Sequence, residues 1–306
     1  MSQRSRRSVI VASCARRYRP GQMLIVFNPA AGARRRRRLD DALTALAASG
    51  VAARVIETTA PGDARRIAAG ADAAVVVAAG GDGTIAEVAA GIAGTGRTLG
   101  ILPLGTANVL AQELGIPLRN AAGVLAAGRR VALWPGIARL ADGQERLFVQ
   151  MLGAGFDAAV VAGLDLRLKA RIGRAAYVWQ SLRELAGYGF PPMTVTLDGV
   201  AVEVTSAIVT KGRLYAGRYL LAPEARPDLP GFWVALFHKA GPVAAAGCGV
   251  ALPLGLLRRM PGVELRRASV VDFAGAGVPV QADGDPVGVV PVAVRDAGAP
   301  IAVLVP

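Results

Sequence analysis

The sequence predicts an α/β protein with an N-terminal α/β domain on a parallel sheet and a second, mostly antiparallel β domain. Two observations predict this class. Up to about residue 130, short apolar runs alternate with helical segments, and glycine-containing turns follow the runs. Beyond that point, strands joined by tight turns such as Asp198-Gly199 dominate. The 306 residues suffice for two cores. We therefore expect a basic, disordered extension over residues 1–22, domains over 23–135 and 136–306, and a last strand that could return to the first domain.

The first domain shows the alternation of strand and helix most clearly. The expected strands are Met23–Phe27, Val51–Thr58, Ala73–Ala79 and Leu99–Pro103, and the expected helices are Arg34–Ala48, Gly62–Ala69 and Ile85–Ile92. The run Ala73–Ala79 is apolar throughout, as in a strand covered on both faces of a parallel sheet. Helical spacing of Leu39, Leu43 and Leu46 supports the first helix.

In the second domain the apolar runs are short and close together. The expected strands are Arg146–Met151, Met193–Leu197, Val200–Thr210, Trp233–Phe237, Ser269–Phe273, Val278–Ala282 and Val292–Arg295. One long helix is expected from about Leu164 to Ala186, with Tyr177, Trp179 and Leu182 packed in the core rather than lining a lipid pocket. The uncharged stretch Ala240–Leu257 contains prolines and glycines, which favour a buried helix or a wall facing lipid over a membrane span.

The net charge of +13 is concentrated at the N-terminus. Residues 1–38 contain eleven arginines and no acidic residue, which leaves about +2 for the rest of the chain. This distribution predicts contact with an anionic surface near the N-terminus and argues against a nucleic-acid-binding body. A single histidine and two cysteines exclude multi-histidine metal sites and a disulfide framework.

Two glycine turns carry the main functional prediction. Gly80–Thr84 follows a buried strand and precedes a helix, and Gly105-Thr106-Ala107-Asn108 follows the next strand in the same way. Backbone N–H groups in such turns converge on anions, and the positive end of the helix adds to the attraction. Asp82 would suit a phosphate that is carried with Mg²⁺. Because both turns lie at the carboxyl edge of the sheet, we predict a nucleotide site there.

Several spaced motifs together resemble the diacylglycerol kinase catalytic-domain family, in its small bacterial lipid kinase branch. The motifs extend from the first strand to the end of the chain: Asn28-Pro29-Ala30-Ala31-Gly32, Gly80-Gly81-Asp82-Gly83-Thr84, Pro103-Leu104-Gly105-Thr106-Ala107-Asn108, Gly153-Ala154-Gly155-Phe156-Asp157, Gly173-Arg174-Ala175-Ala176-Tyr177 and Ala282-Asp283-Gly284-Asp285-Pro286. The resemblance implies a β-sandwich second domain, and ATP with Mg²⁺ in the cleft between the domains.

The resemblance also implies roles for particular residues. The nucleotide contacts are assigned to Asn28, Thr58, Gly80, Gly81, Asp82, Gly83, Thr84, Gly105, Thr106 and Asn108. Asp285 would remove the proton from the lipid hydroxyl, Asp82 and Asp157 would organise metal and water, and Asp228 matches a second, structural Mg²⁺ position. Taken alone, Asp283-Gly284-Asp285 would be read as a hairpin turn.

The expected activity is ATP-dependent phosphorylation of a membrane lipid alcohol such as diacylglycerol. The enzyme would be cytoplasmic and would bind anionic membrane peripherally through its basic N-terminal residues; a homodimer stays open. Three departures from the family pattern are Asp285 in place of glutamate, Val109 in place of aspartate and Gln150 in place of asparagine. Two alternatives remain: an NAD kinase-like phosphotransferase, and a catalytically weak protein that binds lipid or nucleotide.

Overall fold

The computed structural model describes residues 23–29, 33–165, 168, 173 and 175–306. The strands, in chain order, are β1 (Met23–Phe27), β2 (Ala53–Glu57), β3 (Val75–Gly80), β4 (Thr98–Pro103), β5 (Arg129–Leu133), β6 (Gly136–Leu140), β7 (Glu145–Phe148), β8 (Met151–Ala154), β9 (Met193–Leu197), β10 (Val200–Val204), β11 (Ser206–Thr210), β12 (Leu214–Tyr215), β13 (Tyr219–Leu220), β14 (Phe232–Phe237), β15 (Val263–Ala268), β16 (Val270–Ala274), β17 (Pro279–Ala282), β18 (Asp285–Val289), β19 (Val292–Asp296) and β20 (Ile301–Val305). The helices are α1 (Ala33–Ala48), α2 (Asp63–Ala69), α3 (Asp82–Ile92), α4 (Val109–Glu113), α5 (Ala121–Ala127), α6 (Phe156–Ala162), α7 (Ala175–Gly187) and α8 (Pro242–Ala251). The predicted basic extension lies outside the described residues.

The first sheet has the strand order β2-β1-β3-β4-β20-β5. Strands β1 to β4 are parallel, as predicted, and β20 pairs parallel with β4 and antiparallel with β5. Strand β20 therefore belongs to the same sheet as β1, although the two strands are far apart in the sequence. Because parallel strands end at the same edge, Asn28, Thr58, Gly81 and Gly105 all follow their strands at one edge of this sheet.

The two other large sheets form the predicted antiparallel β-sandwich. Their strand orders are β10-β9-β16-β19-β6-β7 and β15-β14-β11-β8-β17-β18. Inward-facing side chains from both sheets, including Phe148, Phe273 and Leu236, make one apolar core between them. Strand β17 lies beside β8 and forms a hairpin with β18, so the Asp283-Gly284 turn is at the edge of this sandwich.

Two predicted strands are each divided in the structure. The expected strand Arg146–Met151 is β7 and β8, which belong to different sheets, with Val149 and Gln150 between them. The expected strand Val200–Thr210 is β10 and β11, again in different sheets, and the backbone N–H of Thr205 donates to the carbonyl of Phe237 at the break (2.9 Å). A continuous apolar run does not reveal where a chain crosses from one sheet to the other.

Two helices carry apolar side chains on the outside of the protein. Trp179 and Leu182 of α7 are 60% and 59% exposed, so the expectation that they pack in the core was wrong. The stretch expected as a buried helix or a lipid-facing wall contains α8, where Val243 and Val250 are 86% and 64% exposed, so it is not buried. In the part of the chain that the structure describes, every helix is too short or too polar to span a bilayer.

Candidate active site

The two predicted glycine turns pack directly against each other. The backbone N–H groups of Leu104 and Gly105 both donate to the carbonyl of Gly80, at 2.9 and 3.1 Å. A Cβ atom added to Gly105 would lie only 2.4 Å from the Cα of Gly81. Side chains therefore cannot be placed between the turns, and the first turn of α3 and the end of β4 form one continuous backbone surface.

Thr84 and Asn28 close the side of this surface. The Thr84 side chain lies over Gly80, where an added Cβ would come within 2.4 Å of Thr84 Oγ1. Asn28 Nδ2 donates to the same hydroxyl oxygen at 3.2 Å. Thr58 follows β2 at the same edge, and its N–H donates to the carbonyl of Phe27 (2.9 Å). The structure thus brings these predicted nucleotide contacts to one sheet edge.

Asn108 shapes the second turn. Its backbone has a positive φ of 49°. Its side-chain Oδ1 accepts from the N–H of Gly105 at 2.9 Å, while its Nδ2 donates to the carbonyl of Gly105 at 2.8 Å. With both amide atoms engaged, Asn108 holds the turn, whereas Thr106 is exposed at its tip. Gly173, from another predicted motif, lies beside Thr106, with an added Cβ 3.5 Å from its Cγ2.

Asp82 is a half-buried carboxylate in the first turn of α3. The backbone N–H of Leu110 donates to its Oδ1 at a long 3.4 Å. Burial raises the pKa of Asp82, and backbone N–H groups around Leu110 oppose this shift. A carboxylate in this position, at the positive end of a helix and beside two phosphate-binding turns, suits a cation that is bound together with phosphate.

Asp285 reaches this turn from the other domain. Asp283 and Gly284 form the two-residue turn between β17 and β18, with positive φ values of 50° and 86°, as a type I′ hairpin turn requires. Asp285 then begins β18, and its Oδ2 would be 3.3 Å from a Cβ added to Gly83. Arg146 Nη2 donates to the same oxygen at 3.3 Å. The hairpin turn predicted for this motif is therefore confirmed, and the catalytic role of Asp285 stays a prediction.

Asp283 is a site residue to which the sequence analysis gave no role. Its carboxylate accepts hydrogen bonds from the backbone N–H groups of Val149, Gln150 and Met151, at 2.7, 2.9 and 2.9 Å. Burial, with a smaller contribution from the charge of Asp82, raises the pKa of Asp283 to about 6 against these hydrogen bonds. The hairpin is thereby fixed to the break between β7 and β8, in electrostatic contact with α3.

Asp157 is connected to the β17–β18 hairpin by hydrogen bonds through Gln281. Its carboxylate accepts from Tyr215 Oη and from Gln281 Nε2, the latter at 2.8 Å. Gln281 Oε1 in turn accepts from the backbone N–H of Gly284 at 2.8 Å. Burial raises the pKa of Asp157, and both hydrogen bonds oppose the shift. These contacts favour a positioning role for Asp157, acting through Gln281 on the turn that carries Asp285.

A buried glutamate joins the two domains beside the site. Glu113, the last residue of α4, accepts from the backbone N–H groups of Arg213 and Leu214, both at 2.9 Å. Arg213 Nε also donates to it at 2.8 Å. These three bonds hold β12, and with it Tyr215, against the first domain.

Val109 and Gln150, the two other departures from the family pattern, both lie in the interior near β12. Val109 packs in an apolar cluster with Met151 and Ile208, where an aspartate would be an uncompensated buried charge. Gln150 is buried and its Nε2 donates to the carbonyl of Leu214 at 3.1 Å. Val109 therefore fits the apolar packing beside β12, and Gln150 is tied to β12 by this hydrogen bond.

Asp228 does not fit the second Mg²⁺ that the resemblance implies. Both of its carboxylate oxygens accept from the guanidinium of Arg226, at 2.8 and 2.7 Å, and this partner lowers the pKa of Asp228. Among the described residues, there is no group of three or more His, Cys, Asp or Glu side chains that could hold a metal ion. The Asp228 carboxylate is thus already neutralised by a neighbour in its own loop.

Comparisons with known proteins agree with this architecture. The family model described as diacylglycerol kinase catalytic domain matches residues 22–132, and the YegS C-terminal NAD kinase beta sandwich-like domain matches residues 150–305. A Pseudomonas putida protein named "Probable lipid kinase YegS-like" is 34% identical, over 72% of this chain and 77% of its own length. A Mycobacterium tuberculosis protein named diacylglycerol kinase is 29% identical, over 72% of this chain and 73% of its own.

A solved structure of a diacylglycerol kinase from Bacillus anthracis superposes with a TM-score of 0.65. The superposition covers 93% of this chain and 97% of that one, at 17% identity, and thus concerns the fold alone. The two matched domains and the P. putida relative establish the family predicted from the motifs. The chain belongs to the diacylglycerol kinase-like family of lipid kinases, in its YegS-like branch.

Proposed function

We propose that this protein transfers the γ-phosphate of ATP to the hydroxyl group of a membrane lipid alcohol such as diacylglycerol. The observation that carries the proposal is the approach of Asp285, on the sandwich hairpin, to Gly83, in the glycine turn of the first domain. A phosphate cradle and a carboxylate that can accept a proton thus face each other across the domain boundary. Phosphoryl transfer needs mainly this positioning, together with neutralisation of charge.

The first domain would bind the nucleotide. The turns at Gly81 and Gly105 form a backbone surface at the N-terminus of α3, on which phosphate oxygens can accept hydrogen bonds from N–H groups. Asp82 is the residue that would hold Mg²⁺, which, when bound, supplies positive charge to the phosphates. Thr84 and Thr106 offer hydroxyl groups at the same edge.

Asp285 would act as the general base. Its side chain is half exposed, so an acceptor hydroxyl can reach it, and Arg146 holds one of its oxygens in place. A base within hydrogen-bond reach of the hydroxyl would take its proton as the oxygen attacks the γ-phosphate. The hydrogen bonds of Asp283 and Gln281 fix the backbone of the turn, so the Asp285 carboxylate is held in a defined position next to α3.

The acceptor would approach from the side of α7 and α8. Tyr215, which donates to Asp157, is in electrostatic contact with Tyr177 of α7. Cys248 and Leu252 of the α8 region pack on the same apolar cluster as Tyr215. The two helices therefore connect the interior of the site to the outer surface of the second domain.

An apolar surface on these helices suits a lipid bilayer. We call it the α7–α8 face; it consists of Val178, Trp179, Leu182, Val243, Val250 and Leu254, each at least 59% exposed. Residues 239–263 contain Lys239, Arg258 and Arg259 but no acidic residue, which favours an anionic membrane. We propose peripheral membrane binding through this face, in addition to the N-terminal arginines expected from the sequence. The reaction would then occur at the cytoplasmic side, where ATP is present.

The acceptor can be identified by a transfer assay. ATP labelled at the γ-phosphate is incubated with Mg²⁺ and mixed micelles that contain diacylglycerol, monoacylglycerol, phosphatidylglycerol, a sphingoid base or ceramide, with NAD as a soluble comparison. Label in a lipid, lost in the Asp82→Ala variant, supports the proposal and names the lipid class. Label in NAD alone would support the NAD kinase-like alternative. ATP binding without transfer to any acceptor would favour the weakly catalytic alternative.

A further inference from the structure

Lys211 is a fully buried lysine at the end of β11. Its side chain is 0% exposed. The Nζ atom lies 2.6 Å from Asp296 Oδ1, 2.8 Å from the carbonyl oxygen of Gly231 and 3.4 Å from that of Leu229. It also lies 4.6 Å from the centre of the Phe232 ring. Lysine is almost never fully buried unless it is paired, so this arrangement requires an explanation.

The partners of Lys211 identify it as a charged ammonium. An ammonium has three N–H donors and no acceptor, and three oxygen atoms surround Nζ. Burial lowers the pKa of Lys211, while the hydrogen bond and the charge of Asp296 raise it. The second carboxylate oxygen of Asp296 accepts from the N–H of Gly231, so both oxygens of the anion are also satisfied.

The oxygen set around Lys211 resembles that of a hard cation site. One carboxylate oxygen and two backbone carbonyls are the kind of ligands that Mg²⁺ and Ca²⁺ take in proteins. The two carbonyls belong to the loop that also contains Asp228, the position to which the family resemblance assigns a structural Mg²⁺. Asp228 itself is paired with Arg226 at 2.7 Å.

The charges around this loop are unfavourable for a second cation. A cavity of about 120 Å³ beside Lys211 is also lined by Arg226 and Arg267. Its acidic lining residue, Glu224, is paired with Arg258 at 2.7 Å. Any Mg²⁺ would have to enter beside these guanidinium groups and an ammonium, with Coulomb repulsion from each.

We propose that the ammonium of Lys211 replaces the structural Mg²⁺ of this loop, so that the second domain keeps its fold without a metal ion at this position. Lys211 is at the end of β11 in one sheet, and Asp296 ends β19 in the other. The ion pair therefore joins the two sheets of the sandwich and fixes the loop at residues 229–231 to both. The Lys211 ammonium thus supplies the positive charge that a bound cation would otherwise provide.

The metal dependence of stability tests this proposal. Thermal unfolding of the full chain is followed without nucleotide, in Mg²⁺ and in EDTA, for the wild type and for Asp228→Asn. Since Mg²⁺ at Asp82 would act on both proteins equally, we expect the same Mg²⁺-dependent change in Tm for both. A Mg²⁺ response that is smaller in Asp228→Asn than in the wild type would overturn the proposal, because the loop would then hold a metal ion.

The Lys211→Met variant tests the role of the ammonium directly. It keeps the unbranched apolar stem, one atom shorter than that of lysine, but leaves Asp296 without its cation, so we expect a Tm lower by about 10 °C, in Mg²⁺ as well as in EDTA. Lys239→Met, at an exposed lysine, is the matched control and should leave Tm unchanged. A Lys211→Met protein as stable as the wild type would overturn the proposal; if the variant does not fold, the Asp228→Asn comparison still decides.

Discussion

The carboxylate of Asp285 lies against Gly83, with its Oδ2 3.3 Å from the place where a Cβ of residue 83 would be. These two residues come from different domains and lie far apart in the sequence. Their approach places the proposed base over the first turn of α3, which also contains the half-buried Asp82. This approach supports the proposal that Asp285 is the base, because the hairpin turn holds the shorter aspartate side chain close to the glycine turn.

Lengthening the base is therefore expected to reduce activity. In Asp285→Glu, the added methylene group would push the carboxylate into the backbone at Gly83 or away from Arg146. We expect kcat to fall about tenfold or more, because small displacements of a reacting group are costly. Steady-state transfer with both proteins measures this. A large gain in turnover would instead mean that Asp285 is too short and that the protein is a weakened kinase.

The contact between the two glycine turns predicts a second loss of function. A Cβ on Gly105 would lie 2.4 Å from the Cα of Gly81, and backbone atoms must move to make room for it. Gly105→Ala should weaken ATP binding by about tenfold or more, as measured by calorimetry. Gly298→Ala is the control, since no atom lies within 4 Å of its added Cβ. Equal ATP affinity in Gly105→Ala and the control would exclude this turn from the nucleotide site.

The pKa of Asp283 reports on the distance between the hairpin and α3. Burial raises this pKa to about 6, and the charge of Asp82 contributes to the shift. In metal-free Asp82→Asn protein, the pKa of Asp283 should therefore be lower, as carbon-13 NMR of the carboxyl group can measure. Asp40→Asn, which removes an exposed carboxylate on α1, should not change it. An unchanged value in Asp82→Asn would show that the two carboxylates are not close.

The same raised pKa predicts how stability depends on pH. Because the folded protein binds the Asp283 proton more tightly than the unfolded chain does, this group stabilises the fold below about pH 4, and the contribution is lost as pH rises through about 6. The loss amounts to about 3 kcal/mol for a shift of this size. Denaturant unfolding of the metal-free wild type and Asp283→Asn across this range should show the difference. Parallel pH profiles for the two proteins would contradict it.

The α7–α8 face predicts a loss of membrane binding without a loss of fold. Changing both Trp179 and Leu182 to serine removes two exposed apolar side chains, and binding to phosphatidylglycerol vesicles should weaken by about tenfold or more. Val200→Ser is the matched control, since Val200 is equally exposed but lies on β10. Sedimentation with vesicles measures the binding. Equal binding of the double variant and the control would show that another surface contacts the membrane.

Strands with a continuous apolar or a strictly alternating pattern could be predicted from the sequence alone. The bounds of β1 and β9 are those expected, because continuous apolar character and strict alternation mark these strands. The division of the run at Arg146–Met151 was missed for a physical reason. The N–H groups of Val149 and Gln150 donate to the side chain of Asp283, from the far end of the chain, rather than to a neighbouring strand.

In the candidate site, too, compact motifs were predicted and contacts between distant residues were not. The glycine turns and Asp285 were predicted because their motifs are compact in the sequence. Gln281 and Lys211 were not, since Gln281 acts through Asp157 and Gly284, and Lys211 is buried by a loop and by Asp296. Neither role leaves a pattern in the neighbouring residues. Likewise, helical spacing predicted α7, but spacing alone does not show which face of a helix is left uncovered.

The most direct test of the proposed reaction is single-turnover transfer from pre-bound ATP to diacylglycerol in mixed micelles, measured for the wild type and Asp285→Asn. If Asp285 is the base, transfer should fall about 10²- to 10⁴-fold in the variant, while ATP affinity stays within about twofold. Transfer at the wild-type rate in Asp285→Asn would contradict the account, because the carboxylate beside Gly83 would then have no part in the chemistry.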